Sequence, residues 1–172
     1  MKDNIIRSAV AAAMLGLMGA AWGHGAEEHK SSATEHGSST KQAHDASEET
    51  AFGKPGDPKK AARTIDVDAS DSLRFTPSQL AIRRGETVRF VVRNSGKLAH
   101  EMVLGTMDEL KEHAALMRKF PDMEHDEPSM TQMKPGATGS FAWQFTKAGE
   151  FYYGCLVPGH FEGGMVGKIV VK

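Results

Sequence analysis

The sequence predicts an all-β sandwich of seven to eight short strands with one helical insertion, preceded by a tail without fixed structure. Three observations predict it. From Arg63 onward, β-prone runs alternate with Gly-, Pro- and Asn-containing turns. One stretch, starting at Thr106, switches to helical spacing. Residues 24–62 carry no hydrophobic periodicity, and Phe52 is their only large aromatic.

The chain opens with Lys2 and Arg7, followed by an apolar run from Ala9 to Ala21 broken only by glycines. This is a basic n-region and an h-region of signal-peptide length, too short to span a membrane comfortably. Residues 1–23 are therefore expected to be a signal peptide cut near Ala21 or Gly23, which implies export to the periplasm and no membrane span afterwards. Residues 24–62 are expected to be a disordered, His-rich linker, closed by the breaker cluster Gly53-Lys54-Pro55-Gly56-Asp57-Pro58. His24, His29, His36 and His44 in this tail fit either loose capture of transition metals or a solvated linker in which histidine is tolerated.

Residues 63–172 form the predicted domain, of ordinary single-domain length. Thr64–Asp68 alternates with period two. Phe75–Ile82 reads as a strand with an internal proline at Pro77, hence an edge or a bend. Arg83-Arg84-Gly85-Glu86 is a turn, Thr87–Val92 a strand, and Asn94-Ser95-Gly96 the turn that closes it. His100–Leu104 is the next strand. An insertion at about 106–134 follows. Thr106 caps a helix over Met107–Lys119, with Asp108 and Glu109 in its first turn and Leu110, Ala114 and Met117 on one face. Pro121 stops it, and a loop carries Met123, His125, Met130 and Met133. Strands resume at Gly139–Phe145, Phe151–Cys155 and Val166–Val171.

Net charge is −1 overall, and the domain from Arg63 balances 14 basic against 14 acidic residues, so no nucleic-acid partner is implied. The single cysteine, Cys155, cannot form an internal disulfide. In an oxidising compartment an idle thiol is a hazard, and a metal bond would protect it. His160 follows five residues after Cys155, and Met165 five after that. A thiolate, an imidazole and a thioether are the donor set that selects copper. His100, at a loop-to-strand entry, supplies a second imidazole. His100, Cys155, His160 and Met165 are therefore the expected ligands of one type 1 copper centre, with the methionine as a weak axial ligand. His113 and His125, in the insertion, are the rival imidazoles.

The Cys-x4-His-x4-Met loop, with Pro158-Gly159 before its histidine, resembles that of the cupredoxins, the blue copper proteins that include plastocyanin and azurin. Phe75-Thr76-Pro77, Gly85-Glu86-Thr87 and the approach from Asn94 to His100 support the resemblance, which covers residues 63–172. It implies a Greek-key sandwich holding one copper on the same four residues. Two positions depart from the common pattern. Glu101 stands where many members have Asn or Ser, a residue that helps tie the two ligand loops. Gly154 stands where some members place an exposed aromatic before the cysteine. The exposed edge of His160, ringed by Leu156, Val157, Pro158 and Phe161, is then the expected contact point for a transient redox or copper-transfer partner.

Among family members the arrangement looks most like exported copper-tolerance cupredoxins, because a pure electron shuttle needs neither a His-rich tail nor a Met-rich insertion. A monomeric periplasmic copper binder in copper tolerance is the expected function, and a diffusible one-electron carrier the alternative. A copper oxidase would need further ordered histidines, and the domain holds only four in all, so no enzyme is expected. The methionines of the insertion, with His125, fit either a second, weaker copper site or ordinary packing.

Overall fold

The alternating runs close into two five-stranded sheets packed face to face. The computed structural model describes residues 49–172 other than Glu124. The expected signal peptide at 1–23 and the four tail histidines lie outside the described residues. The strands are β1 Lys54–Pro55, β2 Arg63–Ser70, β3 Arg74–Thr76, β4 Gln79–Ile82, β5 Thr87–Asn94, β6 His100–Gly105, β7 Met130–Met133, β8 Thr138–Gln144, β9 Gly149–Gly154 and β10 Val166–Val171. One sheet runs β1-β8-β5-β2-β3 and the other β4-β10-β9-β6-β7. Most neighbours are antiparallel, but β2 runs parallel to β5 and β10 parallel to β4.

Among the described residues, ten strands stand where seven to eight are expected, for three reasons. The predicted Phe75–Ile82 strand divides at Pro77 into β3 and β4, which belong to different sheets. The stretch carrying Met130 and Met133, expected as loop, pairs with β6 as β7. The third addition is β1, on the edge beside β8.

This last strand lies within 24–62, the stretch read as lacking fixed structure; in its described part, 49–62, Phe52 and Gly53 are buried and most other residues are exposed. Phe52 is 4% exposed and stacks on Trp143 with ring centroids 5.1 Å apart. Burying one such aromatic contributes roughly 1.5–3 kcal/mol, about the ordering cost of one or two residues, and the pairing of β1 with β8 and the bond from Trp143 Nε1 to Phe52 O add to it.

Between the sheets, Val67, Phe75, Val88, Phe90, Val92, Tyr153 and Ile169 form the main core. The strand β6 is buried along its whole length because both faces are covered. Met102 and Leu104 face the inter-sheet core, while Val103 packs in a second cluster with Leu110, Ala114 and Met117 of the helix α1, Met107–Lys119. That helix matches the predicted bounds and carries a full capping box, with Thr106 and Glu109 exchanging hydrogen bonds. Among the described residues no helix is long and apolar enough to cross a membrane.

Candidate metal centre

Three of the four expected ligands converge at one end of the sandwich. His100 begins β6, Cys155 follows the last residue of β9, and His160 lies in the loop between β9 and β10. One nitrogen of each imidazole and Cys155 Sγ all lie within 4.8 Å of one another. Cys155 Sγ is 3.3 Å from His160 Nδ1 and 3.8 Å from His100 Nδ1. Donors that share an ion at about 2.0–2.3 Å each stand about 3.6–3.8 Å apart, so the observed spacings suit a single small cation. Met165 is fully buried in the same core cluster as Cys155.

The ligand loop is held at its neck and at its tip. Cys155 N–H donates to Met165 O (3.1 Å), and Met165 N–H donates to His160 O (3.0 Å). At the tip, His160 N–H donates to Val157 O at 2.9 Å, closing a turn with Pro158 second and Gly159 third. Gly159 has φ +88°, the left-handed value this turn needs at that position. From outside, Arg74 Nη1 donates to Gly163 O at 2.9 Å.

The approach to His100 is also braced. Asn94, fully buried, donates from Nδ2 to Leu98 O (2.7 Å) and Met133 O (3.1 Å), and its Oδ1 accepts from Gly96 N–H. Asp71, in the β2–β3 connection, accepts from Lys97 N–H and Leu98 N–H at 2.7 and 3.1 Å. The same carboxylate stands 3.2 Å from His100 Nε2. Nδ1 is thereby left to face the sulfur. The Lys97 and Leu98 N–H groups, and then His100, hold the Asp71 carboxyl below its ordinary value.

Electrostatically the centre calls for a cation. Burial pushes the Cys155 thiol up to about 12, and the Glu101 carboxylate adds to this, against the Glu101 and Val157 N–H groups. A thiolate forms here only when a positive charge arrives with it. Burial and the neighbouring His100 hold His160 below its ordinary range, so its ring is neutral and has a lone pair to give. One sulfur and two imidazoles fit copper.

Glu101, the first departure, does tie the two ligand loops together. Its Oε1 accepts from Leu156 N–H at 3.0 Å, and its own N–H donates to Cys155 Sγ at 3.5 Å. At the second departure, a Cβ on Gly154 would come within 3.0 Å of the Phe161 ring, so Phe161 covers this face in place of a side chain at 154. The expected ring around His160 needs one correction. Leu156 is 1% exposed and turns inward to the helix cluster, which leaves Val157, Pro158 and Phe161 around the half-buried His160.

The rival imidazoles lie apart from the cluster, with the rings of His113 and His125 4.8 Å from each other. Met130 and Met133 are core residues, 5% and 2% exposed, because β7 forms where a loop is expected.

The chain matches the profile of copper binding proteins of the plastocyanin/azurin family over residues 61–172. It is 48% identical to the copper-resistant cuproprotein CopI of Rubrivivax gelatinosus over the whole of both chains. It is 33% identical to the protein of that name from Pseudomonas aeruginosa, over 71% of this chain and 83% of the relative. In fold it is similar to auracyanin B, with TM-score 0.58 at 22% identity over 70% of this chain and 96% of the other. A dithionite-reduced auracyanin from Roseiflexus castenholzii gives TM-score 0.57 at 18% identity, over 65% of this chain and 98% of the other.

Proposed function

We propose, since the chain belongs to the plastocyanin/azurin family of copper-binding proteins, that it is a periplasmic cupredoxin of copper tolerance whose ligands are His100, Cys155, His160 and axial Met165. The observation that carries the proposal is the buried Cys155 sulfur flanked by two imidazole Nδ1 atoms. Tolerance is favoured by relatives named copper-resistant cuproproteins, one matched along its full length. Export is favoured by the signal-like residues 1–23, and residues 24–48 are proposed to be a His-rich segment that collects copper.

Bound copper supplies a one-electron couple between Cu(II) and Cu(I). The protein's own groups set the frame for it. Asp71 fixes the His100 ring, and the Glu101 N–H group stabilises charge on the Cys155 sulfur. The paired strands β9 and β10 of one sheet hold the two ends of the ligand loop, so the donors would keep one arrangement in both oxidation states. The family and the donor set favour a copper binder over an enzyme.

A diffusible electron carrier is the second reading. It is favoured by the partly exposed His160 among Val157, Pro158 and Phe161, a surface suited to brief docking. Deleting the gene separates the two. Copper sensitivity with respiration intact supports tolerance; respiratory failure at ordinary copper overturns it in favour of the carrier.

A further inference from the structure

Strand pairing places two of the donors but not the third. β6 and β9 run side by side with Val103 opposite Gly154, which sets His100 against Cys155. His160 lies in the loop beyond β9, and no strand pair fixes its distance from His100, whose ring centroid is 4.9 Å away. The tip that carries His160 is one folded unit. Besides the bonds made by the His160 and Met165 N–H groups, Gly163 N–H donates to Gly159 O (3.0 Å) and Gly164 N–H to Phe161 O (2.9 Å). Whatever holds Gly163 therefore holds His160.

The β2–β3 connection of the opposite sheet touches both ligand-bearing segments. On one side Asp71 accepts from Lys97 N–H and Leu98 N–H, and a Cβ on Gly96 would collide with its carboxylate. On the other side a Cβ on Gly163 would collide with Leu73 Cδ1, and Arg74 Nη1 bridges Leu73 O and Gly163 O at 2.7 and 2.9 Å. Leu73 N–H closes the turn by donating to Ser70 O at 3.0 Å. Its φ is +56°, and among the described residues no other non-glycine residue has a positive φ. Glycine or asparagine would take this conformation at less cost, so the turn alone does not call for leucine. What leucine adds is a side chain packed between the main core and the ligand loop.

We propose that the β2–β3 turn is a gauge that sets the separation of His100 from His160, with Leu73 and Arg74 as its positioning residues. The proposal rests on the ligand assignment above, and adds that the spacing is set before copper arrives. Asp71 and Leu73 are two residues apart in a closed turn, so neither ligand segment shifts against the other without deforming it.

The test is amide hydrogen exchange in the metal-free, full mature chain, followed by the EPR spectrum of the same chain loaded with Cu(II). Leu73→Gly keeps the turn conformation and removes the side chain. It should speed exchange at the His160, Gly163 and Met165 N–H groups by about tenfold, leave the strand amides of β9 and β10 unchanged, and alter the copper hyperfine splitting. Arg74→Ala, at an exposed position, should speed the same three amides by about fivefold. Leu73→Met keeps the reach of the side chain and should restore the native rates and spectrum. Unchanged tip exchange in both Leu73→Gly and Arg74→Ala overturns the proposal. So does faster exchange spread evenly through β9 and β10, which is a loss of core packing, and so does a faster tip with a native EPR spectrum. Failure of the ligand assignment looks different: the Cu(II)-loaded native chain then lacks a sulfur-to-copper band, whatever the exchange rates are.

Discussion

Copper binding should release the Cys155 proton, and its affinity should climb steeply with pH. The thiol is pushed from its ordinary 9.0 up to about 12, chiefly by burial. At pH 7, removing a proton from such a group costs about 7 kcal/mol, against about 3 kcal/mol for the ordinary thiol. The metal must supply that difference, and it does so less and less as pH rises. With His160 already neutral, one proton leaves per copper bound, so affinity rises about tenfold per pH unit and about a hundredfold from pH 7 to 9. The assay is anaerobic Cu(I) competition against a chromophoric chelator at pH 7, 8 and 9. Cys155→Ser is measured in parallel to subtract binding elsewhere in the chain. An affinity that stays flat with pH, after that subtraction, would refute the reasoning, since the sulfur would then be either already ionised or not a ligand. In the metal-free protein the same shift acts on stability. Its native state holds the Cys155 proton more tightly than the unfolded chain, so this stabilisation is complete below pH 9 and is lost as pH rises toward 12.

Phe52→Ala should cost about 3–5 kcal/mol in denaturant unfolding, because it empties a site against Trp143 and Phe151; a loss under 1 kcal/mol would mean that the segment is not part of the core. Asp71→Ala should lower copper affinity by about 10–100-fold and alter the copper EPR spectrum, since the His100 ring loses its outer partner. Unchanged affinity and spectrum would show that Asp71 only braces the loop. Deleting residues 24–48 should reduce tolerance to copper in cells while leaving the visible spectrum of the loaded protein intact. Full tolerance after that deletion would remove the collecting role from the tail.

What could be read from the sequence was local. Cys155, His160 and Met165 share one loop, so donor type and spacing name the site before any fold is known. The helix was equally legible, because its cap and its buried face lie within 13 residues. Asp71 was not, since it meets His100 across 29 residues through the β2–β3 connection, and no local pattern marks it. The bond from Leu156 N–H to Glu101 spans 55 residues. Glu101 is therefore visible in the sequence as a departure from the family pattern, but its partner is not. Met130 and Met133 misled because their run pairs with β6, a contact that only the sheet order creates. Phe52 misled for the opposite reason, as one anchoring side chain in a segment whose average composition is polar.

The central claim is a single copper held by the Cys155 sulfur. Metal analysis with visible and EPR spectra of the Cu(II)-loaded mature protein, beside Cys155→Ser, tests it most directly. The account predicts a strong sulfur-to-copper charge-transfer band and a type 1 EPR signal in the native chain, both absent in Cys155→Ser. A band that survives the substitution would contradict it.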